Sequence, residues 1–319
     1  MQKLGRNLVL AIALGAAAFL AISLLSDFGA LSSALAGFDL ALIPAILGLV
    51  SLSYAGRFVR WLYYLNVLKV SVPLGQNAAI FAAGLSMTIS PGKLGEVMKS
   101  VFVRQASGAP IARTAPAVVA ERATDGTGMV LWGFIGAFAL NLSPFWIFVF
   151  LGVAILGIAV LRSRRLSLLA ERVLLKLPLL DRLAPHLHAF HGASNELLGA
   201  RPLAIGTAIS FLSWGLECLG VYLCAVGLEA NTGFLMVVFV FAVSSLLGVL
   251  SMIPGGIGAV EAGLALQFSR LAGMSSGLAG ALTLVIRLAA LWWATLIGIL
   301  GLLLVRRILG DAPLDSAAE

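Results

Sequence analysis

Apolar runs as long as a bilayer-crossing helix recur along this chain, and they constrain its fold more than any other feature. A transmembrane helix needs about 20 mostly apolar residues. Such runs extend over residues 8–25, 40–56, 127–140, 145–161, 203–227, 234–252 and 278–305. Hydrophobic residues make up 61% of the chain and charged residues only 11%, whereas soluble domains are roughly a quarter charged. The sequence therefore predicts an all-α integral membrane protein.

The first run follows Lys3 and Arg6, as the apolar part of a secretory signal would. No small-residue cleavage site is evident before Asp27, and the rest of the chain is equally hydrophobic. We therefore expect this run to be retained as the first membrane helix.

The distribution of Lys and Arg predicts the topology, because basic residues accumulate in short cytoplasmic loops. They cluster at both ends, after the second run and in a central loop, at Lys3, Arg6, Arg57, Arg60, Lys69, Arg162, Arg164, Arg165, Arg172, Lys176, Arg182, Arg201, Arg306 and Arg307. The alternate connections, 26–39, 141–144 and 228–233, contain neither Lys nor Arg. Both termini are therefore expected in the cytoplasm. A composition rich in Ala, Gly and Leu suggests a bacterium, and the expected location is its cytoplasmic (inner) membrane.

Two segments of similar sequence do not fit simple spanning helices. The first reads Ser90-Pro-Gly-Lys-Leu-Gly-Glu96 and the second Ile253-Pro-Gly-Gly-Ile-Gly-Ala-Val-Glu261. Proline removes a backbone donor and glycine tolerates positive φ, so both segments should break a helix. The residues expected to form the breaks are Pro91, Gly92, Gly95, Pro254, Gly255, Gly256 and Gly258. Such breaks are tolerated at membrane depth where protein or trapped water satisfies the freed backbone groups.

The positions of the two breaks predict two re-entrant hairpins. The first begins after Lys69 and ends before the crossing at Thr127, both on the cytoplasmic side, whereas the second begins and ends outside. Broken hairpins inserted from opposite faces are typical of the inverted repeat of many transporters. We expect one polytopic membrane domain, 1–319, of about eight membrane segments. Its parts are half-repeats at about 40–161 and 202–307, a cytoplasmic amphipathic loop at about 162–201 and a tail at 308–319.

Ionisable groups in these apolar regions are candidates for substrate binding, because a charge inside hydrocarbon costs about 3 kcal/mol on insertion scales. The candidates are Arg57, Arg60, Lys93, Glu96, Glu121, Arg122, Asp125, Glu261 and Arg287. The cations are expected to bind an anionic head group, since arginine forms paired bonds to phosphate oxygens. The acids are expected to pair with them or to couple transport to protons or ions. For any single residue, including Glu217 in the same setting, the alternative is an ion pair that only joins helices.

Each break is followed by an acid and a base at the same spacing. Glu96 to Arg122 and Glu261 to Arg287 both span 26 positions (122 − 96 and 287 − 261). The acids Glu121 and Asp125, four apart, share one helical face with Arg122 beside them. The spacing suggests that the two half-repeats share an acid–base pair.

Several other residues have simpler interpretations. The net charge of +7 follows from basic helix ends, so nucleic acid is not expected as a partner. The two cysteines are expected to pack inside one helix, and the three histidines to belong to a solvated cytoplasmic helix. No metal or cofactor is therefore expected at Cys218, Cys224, His186, His188 or His191.

Three aromatic residues follow Arg57 and Arg60, namely Trp61, Tyr63 and Tyr64. Aromatic side chains with nearby cations are typical of the membrane–water interface. We therefore expect the aromatic residues to form an interfacial belt.

The motifs taken together resemble the lysylphosphatidylglycerol synthase transmembrane-region family over most of the chain. They are Gly56-Arg57-x-x-Arg60-Trp61, Pro91-Gly-Lys-x-Gly95-Glu96, Glu121-Arg122-x-x-Asp125 and Pro254-Gly-Gly-Ile-Gly258 with Glu261. That family is the membrane part of the multiple peptide resistance factor and also occurs as stand-alone proteins. The resemblance implies a flippase-like helical domain, with lysyl-phosphatidylglycerol, polyprenyl-linked sugars and hopanoid-related lipids among the substrates proposed for relatives. The substrate does not transfer with the fold.

Two features differ from that pattern. Many relatives are expected to carry arginine where this chain has Lys93, and lysine keeps the charge but loses the planar fork. We also expect no soluble domain after Arg307. Synthesis of an aminoacyl lipid is therefore not expected.

The sequence thus predicts a transporter that moves a phosphate-bearing lipid head group between leaflets by alternating access, while the acyl chains stay in the bilayer. One alternative is an intramembrane lipid-modifying enzyme with Glu96 and Glu261 as acid and base, although no nucleophile motif or nucleotide-binding loop favours it. Another is a non-transporting scaffold for envelope lipid synthesis. The lipid, the direction, the coupling ion and the oligomeric state are left open.

Overall fold

A computed structural model of the chain describes residues 28–90, 95–143 and 184–310, together with residues 145, 149 and 152. The apolar run at 8–25, most of the run at 145–161, the basic residues of the central loop up to Arg182, and Pro91, Gly92 and Lys93 lie outside the described residues. Within them the fold is entirely helical. The α-helices are α1 (Phe28–Ala36), α2 (Ile43–Val67), α3 (Leu74–Leu85), α4 (Met98–Ser107), α5 (Ile111–Ala139), α6 (Ala184–Leu197), α7 (Ala200–Gly227), α8 (Phe234–Leu250), α9 (Ala259–Leu271), α10 (Ser276–Arg287) and α11 (Trp293–Leu309).

Three of the described helical segments are long and apolar enough to cross a bilayer. They are Leu40–Val67, which joins a short 3₁₀ turn to α2, Ala200–Gly227, which is α7, and Ser276–Leu309, in which a π-helical turn joins α10 to α11. Two shorter apolar helices span Leu74–Ile89 and Phe234–Leu250. These segments confirm the predicted runs that begin near residues 40, 203, 234 and 278, and the run at 127–140 forms the second half of α5.

The second Pro-Gly segment interrupts helices, as the sequence predicts, and near the first the described helix ends before Pro91, which lies outside the described residues. In the second, Pro254–Gly256 forms a single 3₁₀ turn, and Gly255, Gly256 and Gly258 have φ of 64°, 61° and 90°. A side chain at these positions would be strained, which explains the glycines. In the first, a 3₁₀ turn at Ser86–Ile89 ends α3, and the amide of Gly95 donates to Ser90 Oγ at 2.8 Å.

The helices of the second half repeat the order of those in the first. The segments Leu40–Val67 and Ala200–Gly227 are both 28 residues long. Each is followed by a turn with a residue at positive φ, Lys69 at 55° and Glu229 at 52°. The next helices then begin at equivalent positions, since 234 − 74 and 227 − 67 both equal 160.

After the breaks the two halves correspond again, but equivalent residues are then 165 positions apart instead of 160. Gly108 and Gly273, at φ of 74° and 67°, end the helices that follow the two breaks, and 273 − 108 equals 165. The same offset relates the starts of α5 and α10, at Ile111 and Ser276. Helices α1 to α4 therefore correspond to α6 to α9, and α5 corresponds to α10 with α11.

Contacts between the halves follow this correspondence. Helix α2 packs on its counterpart α7, α3 packs on α11 as α8 packs on α5, and α1 packs on α10 as α6 packs on α5. At equivalent places the backbones approach closely. A Cβ added to Gly136 would lie 2.8 Å from Phe239 Cβ, and one added to Gly301 would lie 2.6 Å from Ala82 Cβ. Small residues that allow such approach are typical of helix packing in membranes.

The two breaks touch each other at the centre of this arrangement. The 3₁₀ turn at Ser86–Ile89 contacts the turn at Pro254–Gly256. At this contact Ile89, Ile257 and Leu291 form a small buried apolar cluster. The chain therefore brings its two least regular segments together, and the charged residues surround this point.

Two sequence predictions about α2 are wrong. Arg57 and Arg60 do not belong to a loop after the second run but lie inside α2, where both are buried. Trp61 and Tyr64 do not form an interfacial belt, since both are fully buried, and Trp61 Nε1 donates to Asn77 Oδ1 at 2.8 Å. Carboxylates on neighbouring helices neutralise the arginines, so the helix continues past them as an apolar span would. Tyr63 is only partly buried.

The two cysteines lie inside α7, as predicted. Both are buried and unbonded to each other, and Cys224 Sγ donates to the carbonyl of Gly220 at 3.4 Å. They belong to the larger apolar core, which packs α7, α8 and α10 around Val237, Phe239 and Leu282. Their environment is that of packing residues.

Candidate functional site

A cavity of about 200 Å³ opens beside the two breaks and is lined by both halves of the chain. Apolar side chains of α3, α8 and α11 form part of its wall. The charged residues that line it are Arg57, Arg60, Glu96, Lys99, Glu121, Arg122, Asp125, Glu217 and Arg287.

Arg60 joins three helices at the floor of the cavity. From α2, its Nη1 donates to Asp125 Oδ1 on α5 at 2.6 Å and to Ser210 Oγ on α7 at 2.9 Å. The side chain is fully buried, and Glu121 lies 3.9 Å from Nη2. Glu121 and Asp125 thus share one helical face toward Arg60, as their spacing predicts. Removing one partner from such a buried pair leaves an uncompensated charge, so the network holds α2, α5 and α7 in register.

Arg57, one turn before Arg60 on α2, makes a separate pair. Its Nη2 donates to Glu217 Oε2 on α7, and its guanidinium lies 4.4 Å from the ring centre of Trp214. Ser53 Oγ also donates to Glu217, at 3.3 Å. Glu217, which the sequence analysis placed among the ionisable groups of the apolar regions, therefore neutralises a predicted binding arginine.

Lys99 is a cation of the cavity that sequence reasoning missed. Its Nζ lies 2.5 Å from Glu121 Oε2, 3.5 Å from Glu96 Oε2 and 4.6 Å from the ring centre of Trp61. The side chain is 2% exposed, and Gly84 on α3 leaves room for its methylene stem. Its position three residues after Glu96 could have identified it, because residues three apart lie on the same side of a helix.

Arg122 bridges the first break to α5. Its Nη2 lies 3.1 Å from Glu96 Oε2 and 3.0 Å from Asp125 Oδ2. Its side chain is 28% exposed, against 10% or less for Arg57, Arg60, Lys99 and Arg287. Arg122 is therefore the most accessible of these five cations.

Arg287 contacts the second break, as Arg122 contacts the residue that follows the first. Its Nε donates to Glu261 Oε1 at 2.6 Å, and its Nη2 donates to the carbonyl of Gly255 at 2.9 Å. The other oxygen of Glu261 accepts from the amide of Gly258 at 2.7 Å and so caps α9. Glu261 contacts Arg287 but is not among the residues that line the cavity.

Several donor atoms of the arginines have no hydrogen-bond partner among the described residues. They are Arg57 Nε, Arg60 Nε, Arg60 Nη2 and Arg122 Nε. Buried donors normally find an acceptor. The arrangement can therefore bind oxygen atoms of water or of an anionic group, and guanidinium groups suit phosphate oxygens especially well.

In the part of the chain that the structure describes, no group of His, Cys, Asp and Glu side chains has the arrangement of a metal site. The predicted histidines His186, His188 and His191 fall in α6, but their side chains lie outside the described part. Lys93, Pro91 and Gly92 are likewise not placed relative to the cavity. The remaining predicted substrate-binding residues all line the cavity except Glu261.

Comparison with known proteins matches most of the chain to one family. Residues 8–298 match the family described as the lysylphosphatidylglycerol synthase TM region. Two UPF0104 membrane proteins of Methanothermobacter thermautotrophicus are 32% and 33% identical over 120 and 119 residues, and the match spans only about a third of each relative (36% and 35%). A UPF0104 membrane protein of Pyrococcus horikoshii is 27% identical over 281 residues, which cover 79% of this chain and 83% of the relative.

Proposed function

This chain belongs to the lysylphosphatidylglycerol synthase transmembrane-region family, and on that basis we propose that it moves a phosphate-bearing lipid head group between the leaflets of a membrane by alternating access. The observation that carries the proposal is the meeting of two helix breaks, one from each half, beside a cavity lined by charges from both halves. Transporters with inverted repeats place their substrate sites at such a junction.

The correspondence of the two halves supports the inverted repeat within this proposal. If each helix is replaced by its counterpart in the other half, the contact of α3 with α11 becomes the contact of α8 with α5. The contact of α2 with α7 is unchanged, because these two helices are counterparts of each other. A two-fold relationship has this property. We propose that the two hairpins enter from opposite faces, that the chain has about eight membrane segments and that both termini are cytoplasmic.

The charged lining supports a polar head group as cargo. Cations buried in a membrane protein are costly, and where they face a cavity they mark substrate or ion pathways. Here Arg57, Arg60, Lys99, Arg122 and Arg287 surround one cavity, and three of them retain donors without a protein acceptor. A phosphate group supplies the acceptors.

The rim of the cavity supports a lipid as the molecule that carries the head group. Val249 and Ile253 line the cavity and are also 48% and 40% exposed. Leu250 and Met252 beside them are exposed too. An apolar rim continuous with a charged interior lets a head group enter while its acyl chains remain in the bilayer.

Reconstitution in proteoliposomes tests the proposal. Purified protein is expected to accelerate the flipping of a fluorescent phosphatidylglycerol, lysyl-phosphatidylglycerol or polyprenyl phosphate, and Arg122→Ala is expected to abolish this activity while remaining folded. Glu196→Gln, on the exposed Arg113–Glu196 pair, is the matched control and should flip lipid normally. A chemically altered lipid would favour the intramembrane enzyme, and well-folded protein that flips no lipid would favour a scaffold.

A further inference from the structure

The two equivalent acid–base pairs differ in how firmly their carboxylates are held. Glu261 is bound to Arg287 and also to the amide of Gly258, where it caps α9. Glu96 occupies the short stretch between the first break and α4 and contacts side chains of other segments, Arg122 at 3.1 Å and Lys99 at 3.5 Å. Glu96 lines the cavity, and Glu261 does not. In the first pair both members therefore line the cavity, whereas in the second only Arg287 does.

Glu96 also differs from the other carboxylates of the cavity. Glu121 and Asp125 belong to the middle of α5, and Glu217 belongs to the middle of α7. Their backbone can move only if a long helix shifts or unwinds. Glu96 precedes the ten-residue α4, so it can leave Arg122 by movement of the first hairpin alone. Lys99 would still have Glu121 at 2.5 Å.

The charge balance of the site determines how an anion can enter. Among the described residues, five cations and five carboxylates surround the cavity, counting Glu261 behind Arg287. An anion added to a balanced cluster in a low-dielectric setting is repelled by the carboxylates nearest to it. A phosphodiester that takes the place of a carboxylate leaves the balance unchanged. It also offers two oxygens to Arg122 Nη2 and Nε, and Nε has no partner among the described residues.

From these observations we infer that the phosphate group of the ligand displaces Glu96 from Arg122 and thereby releases the first hairpin, while the Glu261–Arg287 pair stays closed. This exchange rests on the proposed function for the identity of the ligand as a lipid, but its chemistry requires only a phosphate ester or phosphate anion. In this exchange, binding of the ligand in the cavity releases residues 95–107 from their contact with Arg122.

Amide hydrogen exchange of the purified full chain tests this exchange directly. Dihexanoyl phosphatidylglycerol is expected to raise the exchange rate of residues 95–107 at least about fivefold and to leave 259–271 unchanged, because only the first carboxylate is displaced. Dihexanoylglycerol, which lacks phosphate, should change neither segment. Bound phosphatidylglycerol that protects 95–107, or leaves its exchange unaltered, would overturn the inference.

Inorganic phosphate and glycerol phosphate distinguish the source of the ligand. A response to phosphatidylglycerol alone would identify a lipid head group, and an equal response to the free anions would identify a soluble phosphate; either supports the exchange. Because these readouts report binding and hairpin release, a chain that responds but flips no lipid would contradict the proposed function and leave this inference standing.

Two charge-matched variants separate displacement of Glu96 from a general electrostatic effect. Glu96→Gln should show rapid exchange at 95–107 without ligand and bind dihexanoyl phosphatidylglycerol about tenfold more tightly, ~1.4 kcal/mol. Glu217→Gln also removes one carboxylate from the cavity, but its 95–107 segment should stay protected until ligand is added. Equal behaviour of the two variants would refute the inference. The experiment on the unmodified chain decides the matter if either variant fails to fold.

Discussion

Arg287 Nε lies 2.6 Å from Glu261 Oε1, 26 positions earlier in the chain. Arg122 and Glu96 have the same spacing and form an ion pair of 3.1 Å in the first half. The helix breaks that precede the two acids touch each other. One arginine, on α5 or α10, therefore pairs with the carboxylate that follows each break, and this arrangement places both guanidinium groups at one cavity.

Neutralising Glu261 is expected to destabilise the protein strongly. Glu261→Gln leaves Arg287 buried without its counter-ion, and loss of one partner of a buried pair costs about 3–5 kcal/mol. The double variant Glu261→Gln with Arg287→Gln should recover part of this loss. Thermal unfolding in detergent measures the difference.

The exposed pair of Arg113 and Glu196, at 2.8 Å, provides the control. Glu196→Gln should change stability by no more than about 1 kcal/mol, because solvent screens such pairs. Equal unfolding temperatures for Glu261→Gln and Glu196→Gln would show that the buried pair contributes nothing to the fold.

Close helix contact at Gly301 is a second point of sensitivity. Gly301→Ala would bring a Cβ within 2.6 Å of Ala82 Cβ, and such overpacking costs about 1–3 kcal/mol. Gly48→Ala on α2, where nothing lies within 4 Å of the added Cβ, should be neutral or stabilise by up to about 1 kcal/mol, since alanine favours helix. Unfolding of both variants in detergent checks the contrast, and a stabilised Gly301→Ala would contradict it.

The main features of the fold could be predicted from sequence, because long apolar runs and Pro-Gly breaks report directly on local backbone preferences. The break at Pro254 and Gly255 and the helix at 200–227 follow from such local patterns, and the shared 26-residue spacing is visible when the two parts of the sequence are compared. The packing of α3 on α11 and of α8 on α5 could not be predicted this way, since it depends on contacts between residues far apart in sequence.

The same limit explains the errors at the site. Arg57 and Arg60 suggested a loop because arginine in hydrocarbon is costly, and the carboxylates that offset this cost are Glu217 and Asp125, more than 60 positions away. Lys99 was missed because α4 is short and too polar to attract attention as a membrane segment. Its significance comes from Glu121, on the next helix.

Lys99 is expected to matter for stability through Glu121 and for transport through the cavity. Lys99→Met removes the close cation of a buried carboxylate and should lower the unfolding temperature, whereas Lys99→Met with Glu121→Gln should restore most of it. Neither variant should flip lipid, because the cavity has lost a cation. Flipping by the stable double variant at the normal rate would show that Lys99 serves only the fold.

A cross-link between the two breaks should stop transport if the breaks separate during each cycle. Ile89 and Ile257 meet in one buried apolar cluster, so the Ile89→Cys, Ile257→Cys pair, in a chain whose Cys218 and Cys224 are replaced by alanine, should form a disulfide under mild oxidation. Alternating access requires the site to be exposed to each side in turn, and a covalent bond across the two tips prevents any motion that parts them. Flipping in proteoliposomes should therefore fall to background on oxidation and return with dithiothreitol, while each single cysteine variant stays active throughout. If a cross-linked chain still flips lipid, the two breaks move together as one body. The boundary between the moving parts of the protein would then lie elsewhere, along α2 and α7.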